Sequence, residues 1–383
     1  MNIFKGKSLF DGYNPVMTEQ LLTESSQNDI SKEILKNRFQ EIGIFEAEQL
    51  IAITNTESKK QLLADTLGLG LDFIQSLINK SKSELTEKAD FYLRQGYQRT
   101  LGLKLVEDIG LITEQFKNKD FEIVATGNTT LDEKSEQVSI LLDNHLLNSN
   151  NISFLDFIPF VRDQASHPTC AAFAATASNE FRLTYLVHNS YKGYINLSES
   201  SIFCEAKKND GIPYEEGTSL ISIANVIGQV GQAQSTLYPY ESYNPNLCSN
   251  HYFRQTINSS DLANQKAGII SVNPKSIKAL KSAIENKHLP YIGVELFESI
   301  WNARTNENGF INIPLKGEMS QGGHAICLIG YFDDPSLPGG GAFIFKNSWG
   351  LSWSFDNIFN RPGFGIISYS YIQSYCSQAF LTI

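Results

Sequence analysis

The chain has 383 residues, 42% hydrophobic and 19% charged, with a net charge of −10 and a sequence pI near 5.2. Such a length accommodates two or three domains around a substantial core. The acidic balance excludes the basic face that a nucleic acid or an anionic membrane requires, so neither is expected as a partner.

No stretch approaches the ~18 consecutive apolar residues of a membrane span, and Met1–Gly12 lacks the apolar core of about 7–15 residues found in secretory leaders. The expected location is the cytoplasm, or the exterior by a route without a cleaved leader. Residues 1–115 read as a helical domain. In Asn28–Ile44 the apolar positions Ile30, Ile34, Leu35, Phe39 and Ile42 recur at helical spacing behind the cap candidates Asn28, Asp29 and Ser31. A weak repeat follows, Ile42-Gly43-Ile44 with Leu50-Ile51 and then Leu69-Gly70-Leu71 with Leu77-Ile78. Each unit reads helix, glycine turn, helix, which resembles helix-hairpin-helix modules. Residues 1–110 carry 13 Lys/Arg and 16 Asp/Glu, a net of −3, so contact with a protein partner or a structural role is expected rather than phosphate binding. Residues 116–153 read as a linker or activation segment, containing the candidate strand Phe121–Ala125 and the polar runs 126–137 and 148–151. A second domain covers 154–383, with strands expected at Tyr291–Leu296, His324–Tyr331, Gly341–Lys346 and Gly365–Tyr369.

Four residues of this second domain carry chemistry. Cys170 opens an alanine-rich helix (Ala171, Ala172, Ala174, Ala175, Ala177), where the positive end of the macrodipole favours a thiolate. Gln164 lies six residues before it, placed to join the Cys170 N–H as an oxyanion hole. His324 begins an alternating strand, and Asn347 ends the next one. Cysteine, then histidine, then asparagine is the chain order of a nucleophile, its base and the orienter of that base. Trp349 is expected to cover the Asn–His hydrogen bond. Taken singly, each of these residues has a plain structural reading; their joint occurrence is the signal.

The runs Val161-Arg162-Asp163-Gln164, Leu197-Ser198-Glu199, Glu216-Gly217-Thr218-Ser219-Leu220, Tyr238-Pro239-Tyr240, Gly323-His324-Ala325 and Lys346-Asn347-Ser348-Trp349-Gly350 resemble the papain-like cysteine peptidases, and more closely their bacterial branch. The resemblance implies an α+β, two-lobed fold, with a helical lobe bearing Cys170 and a β-barrel-like lobe bearing His324 and Asn347. It also implies a cysteine endopeptidase acting on peptide or protein substrates, with Cys170 as nucleophile, His324 as base and acid, Asn347 as orienter and Gln164 as oxyanion donor. Gly322 and Gly323 match positions on the non-prime border of the cleft, and Trp353 matches an aromatic wall on the leaving-group side. The N-terminal domain is expected to act either as a zymogen prosegment or as a docking module for a protein partner.

Departures from that pattern are plain. His167 stands where the family places a half-cystine, Ala171 stands for a tryptophan, and Asp210–Tyr214 replaces a Gly-Gly stretch. Five cysteines (170, 204, 248, 327, 376) leave the pairing of the other four open, and a reduced protein is the simpler reading. No metal or cofactor is expected, since His167-x-x-Cys170 has no second pair of ligands at suitable spacing. His145, His188, His251 and His288 have no motif context. Two rivals would use the same residues differently: a Cys-dependent acyltransferase or amidase on a dedicated substrate, and a catalytically silent interaction protein on the same fold.

Overall fold

The computed structural model describes residues 32–42, 44, 50–51, 54, 56–84, 99–105, 116, 119–127, 130, 150–187, 195–212, 215–240, 261, 266–301 and 303–383. The cap candidates at 28–31, the polar run 131–137, His145, His188, Cys248 and His251 lie outside these residues.

The N-terminal part contains α1 (Lys32–Glu41), α2 (Glu57–Leu67) and α3 (Leu71–Glu84). Thr56 caps α2 by accepting from Lys59 N, and Gly68 ends it in the left-handed region at φ 64°, a conformation that glycine adopts without a Cβ penalty. The turn expected at Leu69-Gly70-Leu71 thus lies between α2 and α3, with Gly68 and not Gly70 as its left-handed residue. Leu35, Phe39, Leu63, Leu67, Ile74, Leu77 and Ile78 form one apolar cluster, and Leu315 of the second domain is buried within it. Lys59 also reaches Glu298 at 3.2 Å. The small bundle therefore sits against the second domain through a shared core residue and an ion pair.

The second domain centres on α4 (Cys170–Phe181), all twelve of whose residues are buried. Its alanines allow neighbours to approach closely on every side. Around it lie α5 (Glu199–Asn209), capped by Ser198, and α6 (Leu220–Asn225), capped by Ser219. The described strands are β1 (Phe121–Ala125), β2 (Asn151–Ser153), β3 (Ile269–Val272), β4 (Tyr291–Phe297), β5 (Phe310–Ile311), β6 (Ser320–Asp333), β7 (Gly341–Lys346), β8 (Phe364–Ser368) and β9 (Cys376–Thr382). They form one sheet in the order β1-β3-β9-β4-β6-β7-β8-β5, with β2 also paired to β6. The order does not return to its starting strand, so the lobe is an open, coiled sheet rather than a closed barrel.

Two expectations change here. Phe121–Ala125 is a strand, but it is not part of a free linker, because it pairs antiparallel with β3 and extends the sheet. Ile152 likewise pairs with Tyr331, so the sheet recruits chain from both ends of the 116–153 segment. Residues 99–105 are not helical: they run extended across the second domain, bridged to Thr218 on one side and Gly323 on the other.

A buried ion cluster joins the helical lobe to the loop before the active site. Arg162 donates to Glu180 of α4 at 2.7 Å and forms an ion pair with Glu199 of α5 at 2.6 Å. Lys346, at the end of β7, is buried beside them, and burial pulls its ammonium down to about 8. Burial pushes the Glu199 carboxyl up to about 7 against the pull of Arg162.

Candidate active site

Residues far apart in the chain meet at one edge of β6. His324 stands on β6 opposite Val294 of β4, and Asn347 follows directly after β7, the other neighbour of β6. The His324 Nε2–H donates to Asn347 Oδ1 at 2.8 Å. The Ser348 N–H donates to the same oxygen at 2.8 Å, so the amide is held with its carbonyl toward the imidazole. That fixes the tautomer and leaves Nδ1 as the basic nitrogen. Among the described residues His324 Nδ1 is buried and has no hydrogen-bond partner. Trp349 stacks on the imidazole at 4.5 Å between ring centroids and 26° between planes, shielding the His–Asn bond as expected. Trp301, which no sequence motif singles out, lies against Trp349 at 5.8 Å and donates from Nε1 to Gln321 Oε1.

Cys170 is the first residue of α4 and is fully buried. The backbone N–H of Ala325, the residue after His324, lies near enough to its sulfur to favour the thiolate, so Cys170 and His324 come to the same spot. The N–H dipoles of Gly102 and of Ala171 and Cys170 in the first helical turn act on the thiol in the same direction. Burial nonetheless outweighs these donors and pushes the thiol up to about 11. Burial likewise pulls His324 down to about 4, against the opposing effect of its hydrogen bond to Asn347. Near neutral pH both groups are thus uncharged in this state, the opposite of the thiolate–imidazolium pair expected from the helix dipole. The dipole acts on the sulfur, but the loss of water around it matters more.

Gln164 is oriented from three sides. Ser348 Oγ donates to its Oε1 at 2.6 Å, and its Nε2 donates to His167 O at 2.8 Å and to Thr100 O at 3.1 Å. The expected oxyanion donor therefore already holds a carbonyl, and that carbonyl belongs to the segment 99–105.

This segment fills the cleft. Leu103 N donates to Gly323 O at 3.1 Å, Lys104 N to Thr218 O at 3.0 Å, and Thr218 N to Gly102 O at 3.0 Å. Both walls of the cleft thus hydrogen-bond its main chain. Gly102 is required: a Cβ there would lie 2.1 Å from Pro168 O. Gly323 faces Leu103 O, and a Cβ on Gly322 would stand 3.7 Å from Leu101 Cδ1, so both glycines border the occupied groove. The Leu103 side chain enters an apolar pocket with Leu220, Tyr291, Ala325 and Phe380. Gly293 floors this pocket, since a Cβ there would come 2.6 Å from Leu103 Cδ2. Trp353 is only 2% exposed, packed against Trp349 and Phe345.

His167 packs edge-on against Tyr240, whose hydroxyl donates to Gln164 O at 3.0 Å and is 2.8 Å from Thr169 Oγ1. Among the described residues no three His, Cys, Asp or Glu side chains converge on a point that would hold a metal. Cys170, Cys204, Cys327 and Cys376 are all free thiols. No described helix is long and apolar enough to cross a membrane.

The sequence model of the papain family cysteine protease matches residues 155–361. A stretch of 86 residues, 22% of this chain, is 33% identical to an uncharacterized peptidase C1-like protein of Acanthamoeba polyphaga mimivirus, and spans 26% of that protein's length. Among solved structures, xylellain, a cysteine protease from Xylella fastidiosa, aligns with a TM-score of 0.53 and 18% identity, over 76% of this chain and 98% of its own. Digestive procathepsin L 3 of Tenebrio molitor aligns at 0.46 and 16% identity, over 98% of this chain and 99% of its own.

Proposed function

Because the chain belongs to the papain family of cysteine proteases, we propose that it hydrolyses peptide bonds through Cys170, His324 and Asn347, and that residues 99–105 hold it inactive until they are displaced. The observation that carries this reading is the hydrogen-bonded His324–Asn347 pair, its unpartnered Nδ1 beside the Cys170 end of α4, under a strand that both walls grip.

The chemistry follows from the groups present. When the segment leaves, water reaches Cys170 and His324, and the burial that kept both neutral is relieved. Proton transfer from sulfur to Nδ1 then gives the thiolate–imidazolium pair. The thiolate attacks the substrate carbonyl, and the Cys170 N–H and Gln164 Nε2 receive the oxyanion. His324 returns its proton to the leaving amine as the C–N bond breaks, leaving a thioester on Cys170. Water, deprotonated by His324, attacks that thioester and releases the acid. General acid–base help is worth typically about 10²–10⁴-fold, and one oxyanion donor about 10²–10³-fold. The pocket around Gly293, Leu220 and Phe380 favours substrates with a leucine-sized apolar side chain there.

The zymogen reading is supported by the position of the segment. Thr100 O accepts from Gln164 Nε2, the expected oxyanion donor, and the main chain at 102–104 is bonded to Thr218 and Gly323, so the segment occupies the groove that a substrate would need.

The test is incubation of purified full-length protein at mildly acidic and at neutral pH, followed by intact mass. New chain ends between about residues 85 and 150, together with hydrolysis of an added peptide, are expected from wild type. Cys170→Ala should show neither. Peptide hydrolysis that persists in Cys170→Ala would sink the assignment.

A further inference from the structure

The wall of the cleft that carries Thr218 belongs to no strand of the sheet. It ends the chain that follows α5, of which residues 210–212 and 215–218 are described. Thr218 uses both its N–H and its C=O on the occupant's main chain, so its position decides how well a peptide is gripped. What fixes that loop is a buried ammonium.

Lys207 lies in the last turn of α5, and its side chain is 1% exposed. Its Nζ donates to Asp210 Oδ2 at 2.7 Å, to Ile212 O at 2.8 Å and to Gly217 O at 3.0 Å. Three donors meet three acceptors, so the buried charge is fully satisfied. Asp210 then extends the centre outward. Its Oδ2 accepts from Thr218 Oγ1 at 3.0 Å, and its Oδ1 from Ile212 N at 3.1 Å. The loop is thus wrapped around one cation, which reaches its far end, next to the groove, directly at Gly217 and through Asp210 at Thr218. Gly217, held by Lys207, sits at φ 79°, where a Cβ would come 2.2 Å from Gly102 O. Neither Cys170 nor Cys204 takes part in a disulfide that would do the same work.

We infer that Lys207, through Asp210, is the positioning residue that sets the peptide-gripping edge at Gly217–Thr218, and so governs binding of both the covering segment and a peptide substrate. This rests on the reading of the cleft as a substrate groove, but its first test does not need activity. In the full-length chain Cys170 is buried beneath residues 99–105, whereas Cys327 and Cys376 are buried in the sheet. Iodoacetamide labelling, read residue by residue by mass spectrometry, therefore separates local release of the cover from general loosening.

Lys207→Met is expected to raise the labelling rate of Cys170 at least about tenfold, with Cys327 and Cys376 as unreactive as in wild type. Thr218→Val, which removes only the link to Asp210, should give a smaller rise of about two- to fivefold, again confined to Cys170. A Cys170 rate within twofold of wild type in Lys207→Met overturns the inference. If all three cysteines of Lys207→Met react alike, Thr218→Val decides, and the absence of a Cys170-selective rise overturns it. In the processed enzyme, Lys207→Met should raise KM for a peptide about tenfold and change kcat less than threefold; an unchanged KM counts against it. A wild type that hydrolyses nothing refutes the peptidase assignment, while the labelling result still stands for or against the role of Lys207.

Discussion

On one side of the cleft, Gly323 and His324 belong to β6, which is hydrogen-bonded along most of its length to β4 and β7. On the other side, Thr218 ends a loop folded around the single ammonium of Lys207. The first wall is held by many backbone bonds and by a core that includes Ala325, Ile326 and Leu328 at 0–1% exposure, so no one side chain decides its position. The second is decided by one. The proposed base sits on the redundant wall, where misplacement would be costly to rate. The proposed peptide grip sits on the wall with a single support, where sequence change would alter binding without moving the base.

Breaking the redundant wall's function requires attacking its side chains directly. His324→Ala is expected to lower kcat/KM for a peptide by about 10⁴-fold, leaving whatever binding and the oxyanion donors supply. Melting should change little, and active-site titration with a thiol-directed epoxide should fall in parallel. A loss below tenfold would mean that Nδ1 takes no part.

Arg162 tests what ties the helical lobe to the approach to the site. Removing it leaves Glu180 and Glu199 buried at 2% and 1% exposure with their main cation gone. Arg162→Met should cost about 3–5 kcal/mol of stability, the scale for breaking a buried ion pair from one side. Denaturant unfolding measures it. Double replacement of both glutamates by glutamine should recover part of the loss, whereas an isolated surface pair would have cost under about 1 kcal/mol.

A smaller effect is expected at Ser348. Its hydroxyl fixes Gln164 Oε1 and so aims Nε2 at the cleft. Ser348→Ala leaves a buried acceptor without its donor, a loss of about 1–3 kcal/mol. Felt in kcat, that is roughly tenfold to a hundredfold, with KM nearly unchanged; a defect in KM alone would mean that Ser348 only supports the fold.

The contrast between the walls also explains what could be read from the sequence. The proposed catalytic residues announce themselves because each lies in a short run whose neighbours have fixed duties: Ser348 donates to Asn347, and Trp349 stacks on the imidazole that Asn347 holds. The expected strands at 291–296, 324–331, 341–346 and 365–369 each fall within one residue of, or inside, an observed strand, since alternation and β-branched content are local properties. Lys207 is invisible in the sequence, because a lysine in the last turn of a helix ordinarily marks a solvated C-terminus, and only the fold of the next ten residues buries it. The helical expectation for 99–105 fails for a similar reason. Arg99-Thr100-Leu101-Gly102-Leu103-Lys104 has no period of its own, and its extended form is imposed by partners more than 100 residues away. Its one local clue is Gly102 between two leucines, the signature of a backbone that must approach another closely. That the sheet stays open is not legible, because its pairing is non-local: β1 and β5 form the two edges with partners that composition does not name. Nor is the aromatic layer of Trp301, Trp349 and Trp353, since Trp301 lies in no motif.

The smallest expected effect concerns how pH weighs on the two walls. In the covered state His324 titrates near 4 because it is buried, against an ordinary value near 6.5 once hydrated. The uncovered state therefore binds more protons between those values, and the free energy holding the cover is present above about pH 6.5 and lost progressively as pH falls toward 4. Cys170, pushed up to about 11 from 9.0, works in the other direction: its contribution is present below about pH 9 and lost as pH rises through 11. The cover should hold best between about pH 6.5 and 9. Amide exchange at Leu103 and Lys104, corrected for intrinsic chemistry, reads each wall separately, since Leu103 donates to Gly323 and Lys104 to Thr218. Both amides should lose protection on acidification to pH 4.5 in Cys170→Ala, which cannot digest itself. The loss should be blunted when His324→Ala is added, because no group at that position is left to take up the proton. Protection that falls equally with and without His324 would trace the acid response to groups other than His324.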